Sequence, residues 1–318
     1  MRRSGSSGPR GPGSRRSSRS RCSDQEVCVQ FVADLRWPDG PVCPRCGSTE
    51  KHSYLTTRRI WKCKACKRQF SVKVGTIFED SGLGFDKWLP AVWLVANSKN
   101  GISSHELARA LGITQKSAWF MLHRIRLAMQ TGSFDKLGGP GSEVEIDETY
   151  VGGKVSNMHK NRRARQKTPR GGMGGKTAVL GMVERGGRVH AEVVGDAKRR
   201  TLAPRVRNNV EAGSTVYTDA LESYYGLAAD YDHAVVDHLE SYVNGRVHTN
   251  GVENFWSLLK RGLHGTYVSV DPAHLFRYLD ERVFTYNLRG LTDYDRFATV
   301  LRRVAGRRLT YAEVTGQR

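Results

Sequence analysis

The chain has 318 residues, with 51 Lys and Arg against 31 Asp and Glu and a formal net charge of +20 at pH 7. That length suits two or three domains with at least one sizeable core, and the positive excess points to an anionic polymer or surface as partner. No run of eighteen apolar residues occurs and no apolar stretch follows the N-terminal arginines, so neither a membrane-spanning helix nor a secretory signal is expected.

Residues 1–21 contain only Arg, Ser, Gly and Pro after the first Met, a composition that cannot build a core and predicts a disordered basic tail. From 24 to 36, DQEVCVQFVADLR has helical periodicity, with Val27, Phe31 and Leu35 about one turn apart. Two CxxC knuckles follow, Cys43/Cys46 and Cys63/Cys66, separated by sixteen residues and joined by short strand-like runs. Four thiolates at this spacing close a tetrahedron around one structural Zn²⁺ and leave no open position for catalysis. In a chain without an export signal, metal binding is expected before disulfides. Cys22 and Cys28 have no matching partner pattern.

Residues 86–130 read as helical, broken at 96–101 and 111–114. Within them, 103–125 has the anatomy of a helix-turn-helix. Ser104 caps the first helix, Gly112 permits the turn, and Thr114 caps a second helix with Ala118, Met121, Leu122 and Ile125 inward. Its outward side is then expected to carry Gln115, Lys116, Ser117, Trp119, His123 and Arg124, a set able to meet phosphates and base edges.

After the break LGGPGS (137–142), strand-like runs rich in Val, Ile, Thr and Tyr alternate with helices, which predicts an α/β domain over 140–290. A Gly-rich basic segment interrupts it and is expected as a loop. GGMGGKT (171–177) fails as a phosphate-binding loop, because Arg170 stands where the first Gly belongs and a strand follows where a helix should. Asp147 and Asp219 each close a predicted strand, and Glu253 lies on a helix capped by Thr249 or Asn250, with Phe255, Trp256, Leu258 and Leu259 on its buried side. Three carboxylates converging at a sheet edge repel one another unless cations neutralise them. A pair of hard Mg²⁺ or Mn²⁺ ions, ~3.5–4 Å apart, suits such a site and the chemistry of a phosphodiester.

CPRCG, WKCKACKRQFSVKVGTIF, IDETYVGGK, VYTDA, HTNGVENFWSLLKRG and FRYLDE-x6-N (276–287), in this order, resemble DDE transposases of bacterial insertion sequences, in the group with an N-terminal zinc ribbon and an ISXO-type catalytic domain. The resemblance implies an RNase H-like fold, a mixed sheet flanked by helices. It implies Asp147, Asp219 and Glu253 as catalytic metal ligands and Lys260, two turns beyond Glu253, as a phosphate contact. It also implies binding of terminal inverted repeats and target DNA, metal-dependent cleavage followed by strand transfer, and a multimer on DNA. The basic loop 154–176, with Arg162, Arg163 and Arg165, would clamp backbone. Glu145 and Glu148 receive no role.

The expected organisation is a disordered tail (1–22), a zinc ribbon with a short helix (23–80), a helix-turn-helix region (81–136), the catalytic domain (140–290) and a C-terminal basic extension (291–318). The protein is expected in the bacterial cytoplasm with the nucleoid. Two rivals stay open at this stage: a noncatalytic DNA-binding regulator, and a nuclease of the same fold that never joins strands.

Overall fold

The computed structural model describes residues 24–131, 135–153, 175–219, 221–236 and 248–316. These form two compact units. One holds the described residues through Val74 together with Asp80–Pro90, the other Gly75–Glu79 together with the residues from Ala91 on.

In the first unit, helix α1 (Gln25–Arg36) starts where the Asp24 carboxylate accepts from the Glu26 amide at 2.9 Å. Its inner stripe is Cys28, Val29, Val32 and Ala33, while Val27 is exposed. Three short antiparallel strands follow in the order β1 (Ser53–Leu55), β2 (Ile60–Lys62), β3 (Gln69–Phe70). Their core is aromatic: Trp37 meets Trp61 and Phe70 edge-on at 5.3 and 5.9 Å between ring centres.

The second unit opens with helices. α2 (Phe85–Asn97) begins in the first unit and ends in this one. In α3 (Ser104–Leu111) the capping hydroxyl belongs to Ser103, one residue before the expected Ser104, and accepts from Glu106 N. Gly112 then adopts φ +63°, a left-handed turn that a side chain resists. Thr114 caps α4 (Gln115–Met129) as the sequence predicts.

The sheet has the order β6-β5-β4-β7-β8, from β4 (Glu143–Val151), β5 (Thr177–Glu184), β6 (Val189–Val194), β7 (Thr215–Asp219) and β8 (Asp232–Val236). β4 and β5 pair antiparallel, as do β5 and β6, while β4–β7 and β7–β8 are parallel. One face packs Val144, Ile146, Leu180 and Met182 against Leu202 and Val206 of α5 (Arg199–Asn209). The other packs Val179 and Val183 against Val252, Phe255, Trp256 and Leu259 of α6 (Asn250–Arg261), and against Leu275 and Leu279 of α7 (Leu275–Asn287). A mixed sheet covered by helices on both faces is the α/β architecture expected. The edge strand β8 was not.

Two further differences have long-range causes. Residues 291–318 were expected as an extension, yet α8 (Asp293–Arg302) and α9 (Tyr311–Thr315) pack against α4. From Ala91 on, the helical region also shares its unit with the sheet, through α4 and α7. Arg126 of α4 and Glu281 of α7 form a buried ion pair at 2.6 Å, with the guanidinium 3.8 Å from the Tyr278 ring centre. No helix among the described residues is long and apolar enough to cross a membrane.

Candidate active site

The parallel pairing of β4 and β7 sets Glu143 beside Thr215 and Glu145 beside Tyr217. Two residues further along each strand stand Asp147, midway along β4, and Asp219, the last residue of β7. Asp219 also receives the Leu221 amide at 3.2 Å, a tight turn that ends the strand at its carboxylate.

Side chains alternate along β4. Glu143, Glu145 and Asp147 face α6, while Val144, Ile146 and Glu148 face the core beneath α5. Asp147 accepts from the Trp256 indole at 2.9 Å. Trp256 finds room because Asp147 pairs across the ladder with Gly181, where an added Cβ would lie 2.5 Å from the indole ring. Glu253 is exposed on the first turn of α6 and accepts from the Thr249 hydroxyl at 3.2 Å.

Burial pushes Asp147 up to about 6, the Trp256 bond opposes that, and the charges of Asp219 and Glu253 add to it. Asp147 thus feels both other members of the expected triad. Glu148 belongs to the same electrostatic group. Burial raises it to about 7, against a 2.7 Å hydrogen bond from Tyr224, with Asp219 and Asp147 adding further. The sequence offered no way to rank it, since an acidic residue next to Asp147 falls on the opposite strand face. Among the described residues the four cysteines form the one group of three or more such side chains that could hold a metal ion, and Asp147, Asp219 and Glu253 are not part of it.

Glu145 is 1% exposed, and its carboxylate accepts from the amides of Gly251 and Val252 at 2.6 and 3.0 Å. Arg185 donates to it at 2.8 Å, and also to Glu143 and the His248 carbonyl. The expected helix cap therefore sits elsewhere. Thr249 occupies the N-cap position, but its side chain makes no capping bond.

Lys260 is exposed on α6, seven residues after Glu253 and hence on the same side of the helix. In the helix-turn-helix, Gln115 and Lys116 are exposed, and Ser117 and Trp119 are half-buried. Arg124 and His123 are corrections. Both were expected outward, but Arg124 is 3% exposed and donates to the carbonyls of Ile77 and Glu79, and His123 is fully buried. Helices pack around α4 on several sides, so its outward face narrows to its first turns. Arg162, Arg163 and Arg165 lie outside the described residues.

The cysteines meet as expected. Sγ of Cys43 and Cys66 lie 3.8 Å apart, those of Cys46 and Cys63 3.7 Å apart, and all four fall within 4.8 Å. Ligands ~2.3 Å from one tetrahedral Zn²⁺ would stand ~3.8 Å from each other, so the donor set fits structural zinc. Gly47 and Lys67, each the residue after a knuckle's second cysteine, have φ +69° and +60°, which turns both knuckles alike.

Residues 136–287 match the ISXO2-like transposase domain, and residues 23–69 the transposase zinc-ribbon domain. A transposase-like protein of Haemophilus influenzae is 31% identical over 101 residues, 31% of this chain and 81% of that protein. The chain belongs to the zinc-ribbon-bearing ISXO2-like DDE transposases. A protein in the transposable element ISH50 of Halobacterium salinarum is 29% identical over 246 residues, 74% of this transposase and 82% of that protein. A simian T-cell lymphotropic virus intasome, solved with a PP2A regulatory subunit, aligns at a TM-score of 0.28 and 14% identity. That alignment covers 57% of this chain and 64% of the other.

Proposed function

We propose that this transposase binds the terminal inverted repeats of its insertion sequence and catalyses metal-dependent DNA cleavage and strand transfer, with Asp147, Asp219 and Glu253 as its catalytic carboxylates. The observation that carries the reading is that β4 and β7 run parallel in register up to Glu145 and Tyr217, two residues before Asp147 and Asp219, with Glu253 close enough to raise the Asp147 pKa. Carboxylate oxygens in this number suit Mg²⁺ or Mn²⁺, and their mutual repulsion favours taking up cations. When bound, a pair of such ions lowers the cost of negative charge on the attacking and leaving oxygens of a phosphodiester.

The chain's own residues do the rest. Trp256 orients the Asp147 carboxylate, Lys260 meets a backbone phosphate, and the first turn of α4, with Gln115, Lys116 and Ser117 beside Trp119, reads the DNA ends. The reaction takes place in the cytoplasm at the nucleoid, on a multimer that bridges two ends.

Incubation with inverted-repeat DNA, a target plasmid and Mg²⁺ or Mn²⁺ tests this directly. Strand-transfer products are expected. Nicking without joining would favour a nuclease, and a mobility shift indifferent to metal would favour a regulator. Asp147→Asn, Asp219→Asn and Glu253→Gln should each reduce cleavage to background while the mobility shift persists. A variant that cuts at the normal rate removes its residue from the set.

A further inference from the structure

We infer that Glu145 is a positioning residue of the catalytic centre: from β4 it grips the first turn of α6 and so sets where Glu253 stands relative to Asp147 and Asp219. The inference rests on reading those three carboxylates as the metal-binding set.

The first turn of a helix leaves backbone N–H groups without intrahelical partners. In α6 the N-cap side chain of Thr249 does not serve them and donates instead to Glu253. Two of the orphaned donors, Gly251 N and Val252 N, point at one oxygen, Oε2 of Glu145, at 2.6 and 3.0 Å. The capping group thus comes from a strand more than a hundred residues earlier. Bonds from backbone N–H to an ionised carboxylate are charge-assisted, and the positive end of the helix dipole strengthens them.

The contact is close by construction. A Cβ on residue 251 would lie 2.7 Å from Glu145 Oε2, so only glycine lets the helix backbone come this near. The buried carboxylate is also held from its other side. Oε1 receives Arg185 Nε at 2.8 Å and faces His248 Nδ1 at 3.4 Å, and Arg185 in turn holds the His248 carbonyl at 2.8 Å. The Arg185 guanidinium also lies over the Tyr217 ring, 4.2 Å from its centre.

The lever arm is short. Glu253 follows Gly251 by two residues, ~3 Å along the helix axis. Asp147 follows Glu145 by two residues, ~7 Å along the strand on the same face. One turn after the Glu145 grip, Trp256 binds Asp147, so β4 holds α6 at two points with Glu253 between them. Like charges on Asp147, Asp219 and Glu253 push the helix away from the strands, and the Glu145 grip opposes that push.

The test is Mn²⁺ binding to the full-length protein, followed by electron paramagnetic resonance alongside DNA binding and zinc content. The hard Mn²⁺ ion leaves the four thiolates to zinc. Glu145→Gln should weaken Mn²⁺ binding about tenfold to a hundredfold, the range for residues that orient metal ligands. Inverted-repeat affinity and zinc content should stay unchanged. Gly251→Ala should weaken Mn²⁺ binding comparably by pressing its methyl on the carboxylate, and it keeps the test decisive if Glu145→Gln folds poorly. Combining Gly251→Ala with Glu145→Asp makes room for the methyl and should recover part of the loss, which a general destabilisation would not do. Wild-type Mn²⁺ affinity in both single variants, with binding abolished by Asp147→Asn, overturns the positioning role alone. Wild-type affinity in Asp147→Asn overturns the metal-site reading and this inference with it.

Discussion

Asp147 has a pKa pushed up to about 6 from an ordinary 3.8, first by burial and then by its acidic neighbours, against the bond from Trp256. The folded protein therefore holds this proton more tightly than the unfolded chain does. Stability from the group is fully present below about pH 4, falls as pH rises from 4 to 6, and is lost above that window. At neutral pH the metal-free protein carries an ionised carboxylate that its surroundings disfavour. Asp147→Asn keeps an oxygen for the Trp256 indole and removes the charge. It should stabilise the metal-free protein at pH 7 by on the order of 2 kcal/mol, after allowance for water reaching the half-buried group. The gain should vanish near pH 4, as read from urea unfolding at the two pH values. Equal stability of the two proteins at pH 7 would mean that neither burial nor the neighbouring charges weigh on Asp147. The same substitution is expected to end cleavage, so stability and activity move in opposite directions.

At the scale of elements, α4 separates two kinds of arginine and lysine. Lys116 is exposed on the first turn, 4.9 Å from the centre of the Tyr311 ring. Arg124 is buried, spending its guanidinium on two carbonyls of the 75–79 segment. Arg124→Ala strands those carbonyls and should cost about 2–4 kcal/mol in thermal or urea unfolding. Lys116→Ala should leave stability within about 0.5 kcal/mol but weaken DNA binding and lower its salt slope by about one. A stable Arg124→Ala protein that has lost only DNA affinity would restore the outward placement. Apolar period alone could not separate the two residues, because it counts every arginine as solvent-facing and knows nothing of the helices that pack around α4. It did place Ala118, Met121, Leu122 and Ile125 inside, and it found the strands carrying Asp147 and Asp219, since those signals lie within one element, although β4 runs on to Val151 past the end expected near Asp147. The cap of α6 was hidden for the opposite reason. Glu145 and Gly251 are 106 residues apart, and only the folded sheet makes them neighbours. Strand β8, five residues long with a half-exposed face, is too short and too mixed in polarity to stand out from a loop.

At the scale of the whole molecule, the two units differ in what can hold them together. The second has an apolar core on each face of a five-stranded sheet and further buried apolar residues along its helices. Among its described residues the first has one short helix, the opening turns of α2, three strands of two or three residues, and a small aromatic core around Trp37, Trp61 and Phe70. So small a core falls short of the conformational entropy it must offset, and domains of this size rely on a disulfide or a metal. The cysteines are the first unit's own means of closure, since Zn²⁺ bound by four thiolates adds its binding free energy to folding. Metal analysis should find one zinc per chain, and Cys43→Ser should remove it. Calorimetry should resolve two transitions. A strong chelator should lower or erase the one belonging to the first unit and leave the other in place, because neither core of the second unit contains a cysteine ligand. Specific binding to inverted-repeat DNA should fall with the first transition. The general affinity of a +20 chain for DNA, which is electrostatic and salt-dependent, should persist at low ionic strength. Two unshifted transitions after chelation, with zinc removed, would mean that the knuckles close without metal.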